Sequence, residues 1–393
     1  MPARSSESIW TAAFALLCLA QIFGYAQHFT LLPTLPLYIT HLGGTPFTVG
    51  LVLASFAVTS VVVRPLMGHW ADRRGEARVI VGGNLLQTAS VLLCLVPFVA
   101  VTMLANGLRG IGWAGLNAGG YSLLARAAPR SRRAEASGYY SGVQNSAAVL
   151  FPAAALWLLD APFGGFRAVF IGAAALAAVS AGCGALLRRH VGSGKPETQA
   201  DEIEPGPRAL LGLVERDVLL PSALHFCLQL TMPAINSFIV LYAREIGLGS
   251  IGFFYVVSGT ASMLSRPLLG RLSDRIGRST ALFSAFILQI LAFLLVVSAS
   301  SLAGLLISGI LYILGVAIGS STTLAFAMER ANPRHRGRSM ASFSIAYPLS
   351  YGAGGFIAGA AVETLGYARM YLLMAGFALA GLGVAIANWR SLK

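Results

Sequence analysis

One predicted helical face carries a single arginine among polar and aromatic side chains. Its residues follow one another at spacings of 3, 4, 4 and 4: Asn106, Arg109, Trp113, Asn117 and Tyr121. This spacing puts all five on the same side of a helix. A guanidinium can hold a carboxylate at two points, so the face predicts a binding site for an anionic or zwitterionic solute.

The elements that position these residues are membrane helices. The chain is 56% hydrophobic and 11% charged, and a membrane-spanning helix needs about 20 mostly apolar residues. A water-soluble core could not bury that much apolar surface. We predict twelve spanning helices at about 10–39, 46–66, 79–97, 100–126, 136–159, 167–187, 218–245, 250–268, 280–299, 301–328, 339–364 and 368–389.

Arg109 falls near the middle of the fourth predicted helix, where an unpaired charge is costly. It must therefore face water, a protein partner or the solute. We expect it to be the solute's charge partner. The alternative is that Asn side chains or backbone carbonyls brace it, in which case its role is structural.

Five other predicted helices carry polar side chains. They are Gln21, Tyr25 and His28 in helix 1, Gln144 and Asn145 in helix 5, His225, Gln229 and Asn236 in helix 7, Tyr312 in helix 10, and Tyr347 and Tyr351 in helix 11. For any single Asn or Gln, an inter-helix hydrogen bond worth about 0.6 kcal/mol is sufficient explanation. Taken together they indicate a polar cavity. The candidate substrate-binding residues are Tyr25, His28, Asn106, Arg109, Trp113, Asn117, His225, Gln229, Asn236 and Tyr312.

A duplicated segment shows that the chain consists of two copies of one unit. RPLMGHWADRRGEAR starts at Arg64 and RPLLGRLSDRIGR starts at Arg266. Arg64, Pro65, Gly68, Asp72, Arg73 and Gly75 each recur 202 positions later. We therefore predict an N-terminal six-helix bundle over 1–190, a linker over 191–216 and a C-terminal six-helix bundle over 217–393.

The pattern G-x-x-x-D-R-x-G-R after helices 2 and 8 resembles the signature loop of the major facilitator superfamily of transporters. The first copy has Glu76 where the second has Arg278. The resemblance implies an all-α fold of two pseudo-symmetric six-helix bundles, with helices 1, 4, 7 and 10 around a central cavity. It also implies a conformational latch made by Arg64, Gly68, Asp72, Arg73, Gly75, Arg266, Gly270, Asp274, Arg275 and Gly277. The alternative is that the arginines only fix topology.

A second resemblance, to the glycine-rich helix-5 motif of antiporters, is incomplete. The first half keeps Pro152 but has lost the glycines, whereas helix 11 has Gly352, Gly354, Gly355 and Gly359. The sequence therefore predicts a close glycine contact in the second half only, which weakens the case for antiport.

The net charge of +13 is unevenly distributed. Of the 28 Lys and Arg residues, 24 lie near segments that share one side of the predicted topology. This positive-inside pattern predicts a multi-pass protein of the cytoplasmic (inner) membrane with both termini cytoplasmic. It argues against a nucleic-acid partner, and the expected partners are a small-molecule substrate and the lipid bilayer around a monomer.

All 15 Asp and Glu residues fall at the ends of predicted helices or between them, with Glu329 nearest to a membrane position. A cavity without a carboxylate disfavours a lipophilic cation as substrate. If protons drive transport, the candidate carriers are His28, His225 and Glu329, because imidazole titrates at about pH 6.5. The four cysteines form no C-x-x-C pair, so we expect no metal and no cofactor.

These features predict a secondary transporter, not an enzyme, that moves a small organic anion or zwitterion by alternating access. The chain most resembles the twelve-helix drug and metabolite exporters of the major facilitator superfamily, and this resemblance implies efflux. A proton-coupled multidrug exporter is one alternative, and a non-transporting membrane scaffold or sensor on the same fold is another. A scaffold would not need a continuous polar face on helix 4, so that face favours transport.

Overall fold

The computed structural model describes residues 9–127, 132–190, 215–331 and 336–392. The helices are α1 (Ala12–His41), α2 (Pro46–Arg74), α3 (Glu76–Leu93), α4 (Val99–Ala127), α5 (Arg133–Asp160), α6 (Phe166–His190), α7 (Leu219–Leu230), α8 (Ile239–Glu245), α9 (Gly252–Ile276), α10 (Arg278–Ser298), α11 (Leu302–Arg330), α12 (Arg336–Leu365), α13 (Tyr367–Ala387) and α14 (Trp389–Leu392). The predicted linker lies almost entirely outside the described residues.

The all-α membrane architecture is confirmed. Within the described residues, nine helical segments are long and apolar enough to span a bilayer. The other three long helices, α3, α4 and α9, occupy the predicted positions. The helices of the second half repeat those of the first half. α10 begins 202 residues after α3, and α11 begins 203 residues after α4. We call the face at which α1 begins and α13 ends the terminal face.

The two signature segments are helical, which corrects the prediction that they form loops. α2 continues to Arg74 and α9 to Ile276, so each duplicated segment is the last part of a long helix. The chain reverses within one residue at Gly75 (φ 91°) and at Gly277 (φ 81°). Only glycine adopts such a positive φ at little cost, so these two glycines let the next helix begin at once.

The seventh spanning segment is interrupted where it approaches the cavity. A π-helical turn at Ala234–Phe238 separates α7 from α8, directly after Pro233. A π-helical turn changes the backbone hydrogen-bond pattern, and here two tyrosines bind carbonyls of the turn. Tyr255 donates to the Asn236 carbonyl at 2.9 Å, and Tyr371 donates to the Ala234 carbonyl at 3.1 Å.

An ion pair explains why the first signature copy has Glu76 where the second has Arg278. The carboxylate of Glu76 is 3% exposed and accepts from Nη1 of Arg126 at 2.8 Å, which ties the start of α3 to the end of α4. In the second half the charges are exchanged, because Arg278 at the start of α10 pairs with Glu329 at the end of α11. The substitution therefore keeps an ion pair while reversing its polarity.

We expect Glu76→Gln to lower the free energy of unfolding by about 1–2 kcal/mol, since a hydrogen bond to a charged group contributes about 1.5–3 kcal/mol and Arg126 is partly exposed. Thermal unfolding in detergent measures the change. The double variant Glu76→Arg with Arg126→Glu should regain most of the loss. Glu135→Gln, which breaks an exposed pair with Arg132, is the matched control. An equal effect at both sites would show that the Glu76 pair is not structural.

The two halves are in tight contact on the face opposite the termini. Gly50, one turn into α2, faces α12 so closely that an added Cβ would lie 2.6 Å from the Gly355 carbonyl oxygen. On the same face, the guanidinium of Arg244 lies 3.9 Å from the carboxylate of Asp160. The molecule is therefore closed on this face.

α5 makes a close contact with α9 although it has lost the glycines of the helix-5 motif. The sequence had predicted a close glycine contact in the second half only. Here α9 supplies the small residue: a Cβ on Gly259 would lie 2.6 Å from the Cα of Val149 in α5. Helix packing in membranes needs one small surface at each crossing, and it can come from either helix. The sequence of α5 alone therefore did not indicate the contact.

Candidate functional site

A cavity of about 620 Å³ lies between the two halves. Its walls come from eight spanning segments, which are α1, α2, α4, α5, the α7–α8 segment, α9, α11 and α12. The four predicted lining helices are among them, but α2, α5, α9 and α12 contribute as well. Tyr121 and Leu324, near the terminal-face ends of α4 and α11, also line the cavity, so it extends from the closed interface toward that face.

The wall from the first half is an ordered aromatic cluster. The ring of His28 stacks on Trp113 with centroids 4.2 Å apart and an interplanar angle of 24°. Tyr25 packs against the same indole at 4.5 Å and donates a hydrogen bond to Oδ1 of Asn117 at 2.7 Å. The structure therefore brings together four of the predicted substrate-binding residues.

The wall from the second half contains three more predicted residues. His225 contacts the hydroxyl of Thr323 through Nδ1 at 2.9 Å, and Gln229 donates to the hydroxyl of Ser320 at 3.2 Å. Asn236 lines the cavity from the π-helical turn. Thr323 and Ser320 thus position the side chains of His225 and Gln229 before a solute binds.

Among the described residues that line the cavity, Arg64 is the one arginine. Its Nη1 donates to the backbone carbonyl of Ser344 in α12 at 3.3 Å, so it crosses between the halves. The sequence assigned Arg64 to the latch because it belongs to the duplicated segment that resembles the signature loop of the superfamily. Since α2 continues for ten residues beyond Arg64, this side chain lies about 15 Å inside the helix at a rise of about 1.5 Å per residue.

Three predicted substrate-binding residues do not line the cavity in this structure. Asn106 is 2% exposed and donates to the Val52 carbonyl at 2.6 Å, and Tyr312 is fully buried with its hydroxyl 3.0 Å from that of Thr231. Arg109 is 4% exposed, with its guanidinium 4.7 Å from the centre of the Phe56 ring. A direct role for these three in binding stays a prediction that requires the wall to move.

No Asp or Glu is found among the described residues of the cavity lining. Glu329, a predicted coupling residue, is 61% exposed at the terminal-face end of α11 and paired with Arg278. It is therefore placed outside the cavity. His28 and His225, the other two coupling candidates, both line it.

The proposed latch is only partly described. Arg73 is exposed at the terminal face, and Gly68 has open space around it. The side chains of Asp72, Arg266, Asp274 and Arg275, and the surroundings of Gly270, lie outside what the structure describes. The latch stays a prediction.

Comparison with known proteins establishes the family. The chain matches the sequence profile of the Major Facilitator Superfamily over residues 17–347, with a further match over 222–392. The chain belongs to the Major Facilitator Superfamily. It is therefore a transporter rather than an enzyme.

Relatives and solved structures of the superfamily cover nearly the whole chain. The multidrug resistance protein MdtG of Citrobacter koseri is 27% identical over 383 residues, which are 92% of this chain and 90% of that protein. MdtG of Escherichia coli K12 (strain DH10B) is 26% identical over 389 residues, with the same coverage.

Among solved structures, a bacterial homolog of the human lysosomal transporter Spinster, in an inward-facing and unoccupied conformation, has a TM-score of 0.79 at 15% identity. The match covers 99% of this chain and 98% of that one. The nucleoside transporter NupG has a TM-score of 0.71 at 16% identity, and the match covers 96% of this chain and 99% of that one. At this identity the likeness shows the superfamily fold alone.

Several cavity residues were absent from the ten candidate substrate-binding residues, although the polar faces seen in the sequence included Tyr347 and Tyr351. Four of these are aromatic residues of α9 and α12: Phe254, Tyr255, Tyr347 and Tyr351. The spacing of four between Tyr347 and Tyr351 marks one helical face. For α9 the signal was weaker, because Phe254 and Tyr255 are adjacent in sequence and a mostly apolar helix does not show which aromatic side faces lipid.

Proposed function

We propose that this superfamily member is a secondary transporter that exports a small organic anion or zwitterion across the cytoplasmic membrane. The observation that carries the proposal is the charge of the cavity: its described lining contains Arg64 and no carboxylate. A buried charge is costly unless it is paired. Arg64 lowers that cost for an anion, whereas the described lining offers nothing that would neutralise a cation.

Alternating access in this proposal is a rocking of one half against the other. The face opposite the termini is closed by the α2–α12 and α5–α9 contacts, and the cavity extends toward the terminal face. With both termini cytoplasmic, as the charge distribution predicts, this conformation faces inward. In the outward-facing state these contacts open and the signature segments close the cytoplasmic side.

His28 and His225 are the proton carriers in this proposal if the driving ion is a proton. Both rings line the cavity, and within the described residues Nδ1 of His28 has no hydrogen-bond partner. An imidazole can change its charge between about pH 5 and 8, so a proton could enter and leave through the same cavity as the solute. Glu329 is the weaker candidate because it lies outside.

Multidrug export is the second candidate function. The relatives named multidrug resistance protein support it, as does the content of the cavity wall, which includes nine Phe, Tyr and Trp side chains. Aromatic rings bind flat apolar compounds and also attract cations through their faces. A broad preference that includes cationic dyes would therefore favour this candidate.

A thermal-shift screen of the purified protein separates the two candidates. We expect organic anions and zwitterions to raise the melting temperature, because a ligand that binds only the folded state stabilises it. Cationic dyes should leave the melting temperature unchanged at the same concentrations. Stabilisation by cationic dyes but not by anions would contradict the anion proposal and support a multidrug exporter.

A further inference from the structure

A narrow aromatic slot opens from the main cavity between the two halves. Its volume is about 20 Å³. Trp113 and its stacked partner His28 form the wall from the first half, and Tyr347 and Tyr351 of α12 form the wall from the second half. A gap of this size holds about one water molecule.

The slot is too small to hold an aromatic ring, but several of the residues that form it also face the main cavity. Trp113 and Tyr347 line both the slot and the main cavity, and Tyr347 is 38% exposed. Aromatic rings pack face to face with an offset, or edge to face, at centroid distances of about 4.5–7 Å. A planar ring entering from the cavity can therefore contact the indole and the phenol together.

Arg64 contacts α12 about one helical turn before Tyr347. Its guanidinium contacts the backbone of Ser344, three residues before Tyr347 in α12. Three residues of α-helix rise about 4.5 Å. The positive charge therefore meets α12 about one turn from the residue that carries the Tyr347 ring.

We propose that the preferred solute is an aromatic acid, a planar ring system bearing one carboxylate directly or a bond or two away. The ring lies between Trp113 and Tyr347, and the carboxylate binds Arg64. This inference rests on the proposed function and narrows its substrate class. The ring is held by side chains from both halves, so binding couples directly to their relative motion.

Four matched probes test the inference by isothermal titration calorimetry. They are 2-naphthoate, decalin-2-carboxylate, 2-naphthamide and 2-naphthylmethylammonium. The four compounds have nearly the same size but differ either in the aromaticity of the ring system or in the charge of the substituent. We expect 2-naphthoate to bind about 5- to 150-fold more tightly than decalin-2-carboxylate, since two aromatic contacts contribute about 1–3 kcal/mol together. The amide and the ammonium compound should bind more weakly still.

Variants of the slot show whether the discrimination arises there. Trp113→Leu and Tyr347→Leu should each weaken 2-naphthoate about tenfold and leave decalin-2-carboxylate within about twofold. Tyr347→Phe keeps the ring and should retain affinity. This variant is the control for a folding defect caused by substitution at position 347. Trp157→Leu, at a tryptophan that is 66% exposed outside the cavity, is the matched control and should change neither affinity.

The outcomes separate this inference from the proposed function. Equal binding of the two carboxylates, or equal losses for both in the slot variants, would overturn the aromatic-acid inference and leave the anion proposal standing. Binding of the amide or the ammonium compound as tightly as 2-naphthoate would overturn both. Failure of all four probes to bind the wild-type protein would also overturn both.

Discussion

Replacing Arg64 with glutamine is expected to weaken binding of an anionic solute by about 10- to 200-fold. The estimate follows from a hydrogen bond to a charged group, which contributes about 1.5–3 kcal/mol. Arg64 supplies the positive charge in the described lining of the cavity, so no neighbouring arginine can replace it there. Arg64→Lys keeps the charge but loses the planar fork, and its affinity should lie between those of wild type and Arg64→Gln.

Two further arginine variants make this test specific. Arg188→Gln removes an exposed charge at the end of α6 and should leave affinity unchanged. Arg109→Gln removes the buried guanidinium that packs on Phe56, and we expect it to alter the melting temperature more than affinity. If Arg109→Gln abolishes binding and Arg64→Gln does not, the assignment made from the sequence is right and the one made from the cavity is wrong.

Adding a methyl group at Gly50 is expected to stop transport by preventing closure of the face opposite the termini. The Cβ of Gly50→Ala would lie 2.6 Å from the Gly355 carbonyl oxygen and 3.2 Å from the Cα of Gly359. Both neighbours are backbone atoms, so no side chain can rotate away, and the halves must separate. We expect the conformational equilibrium to shift toward the outward-open state. If the inward-facing state is destabilised by about 1.4 kcal/mol or more, transport should fall at least about tenfold.

Spin labels at Thr45→Cys and Thr364→Cys report this separation, because both residues are exposed beside the interface. Their distance distribution, measured by electron paramagnetic resonance, should lengthen in Gly50→Ala. Gly172→Ala in α6 is the matched control, since an added Cβ there has no atom within 4 Å. An unchanged distance with normal transport would show that the α2–α12 contact does not govern closure.

The fold was predictable because hydropathy reports lipid exposure directly. Helix positions and the duplicated plan followed from apolar length and from the 202-residue repeat. The error came at the ends of α2 and α9, where charged residues suggested loops. A helix can carry arginines beyond the membrane, and Gly75 and Gly277 mark the true ends by their positive φ.

The candidate site was predictable only in part, because periodicity shows which residues share a face but not what that face meets. His28 and Trp113 fell in the cavity as expected, whereas Arg109, on the same predicted face, packs on Phe56 behind it. Arg64 was assigned to the latch because it is part of the duplicated segment, and the sequence did not show that its side chain reaches the cavity. Ion pairs such as Glu76 with Arg126 join residues 50 positions apart, which no local pattern shows.

The central claim is that the protein carries an organic anion through a cavity whose charge is supplied by Arg64. Counterflow in proteoliposomes tests it most directly, with 2-naphthoate inside and a trace of labelled 2-naphthoate outside. We predict transient accumulation of label by the wild-type protein and none by Arg64→Gln, with Arg188→Gln behaving as wild type. Equal accumulation by Arg64→Gln, or accumulation of labelled 2-naphthylmethylammonium in place of the anion, would contradict the account.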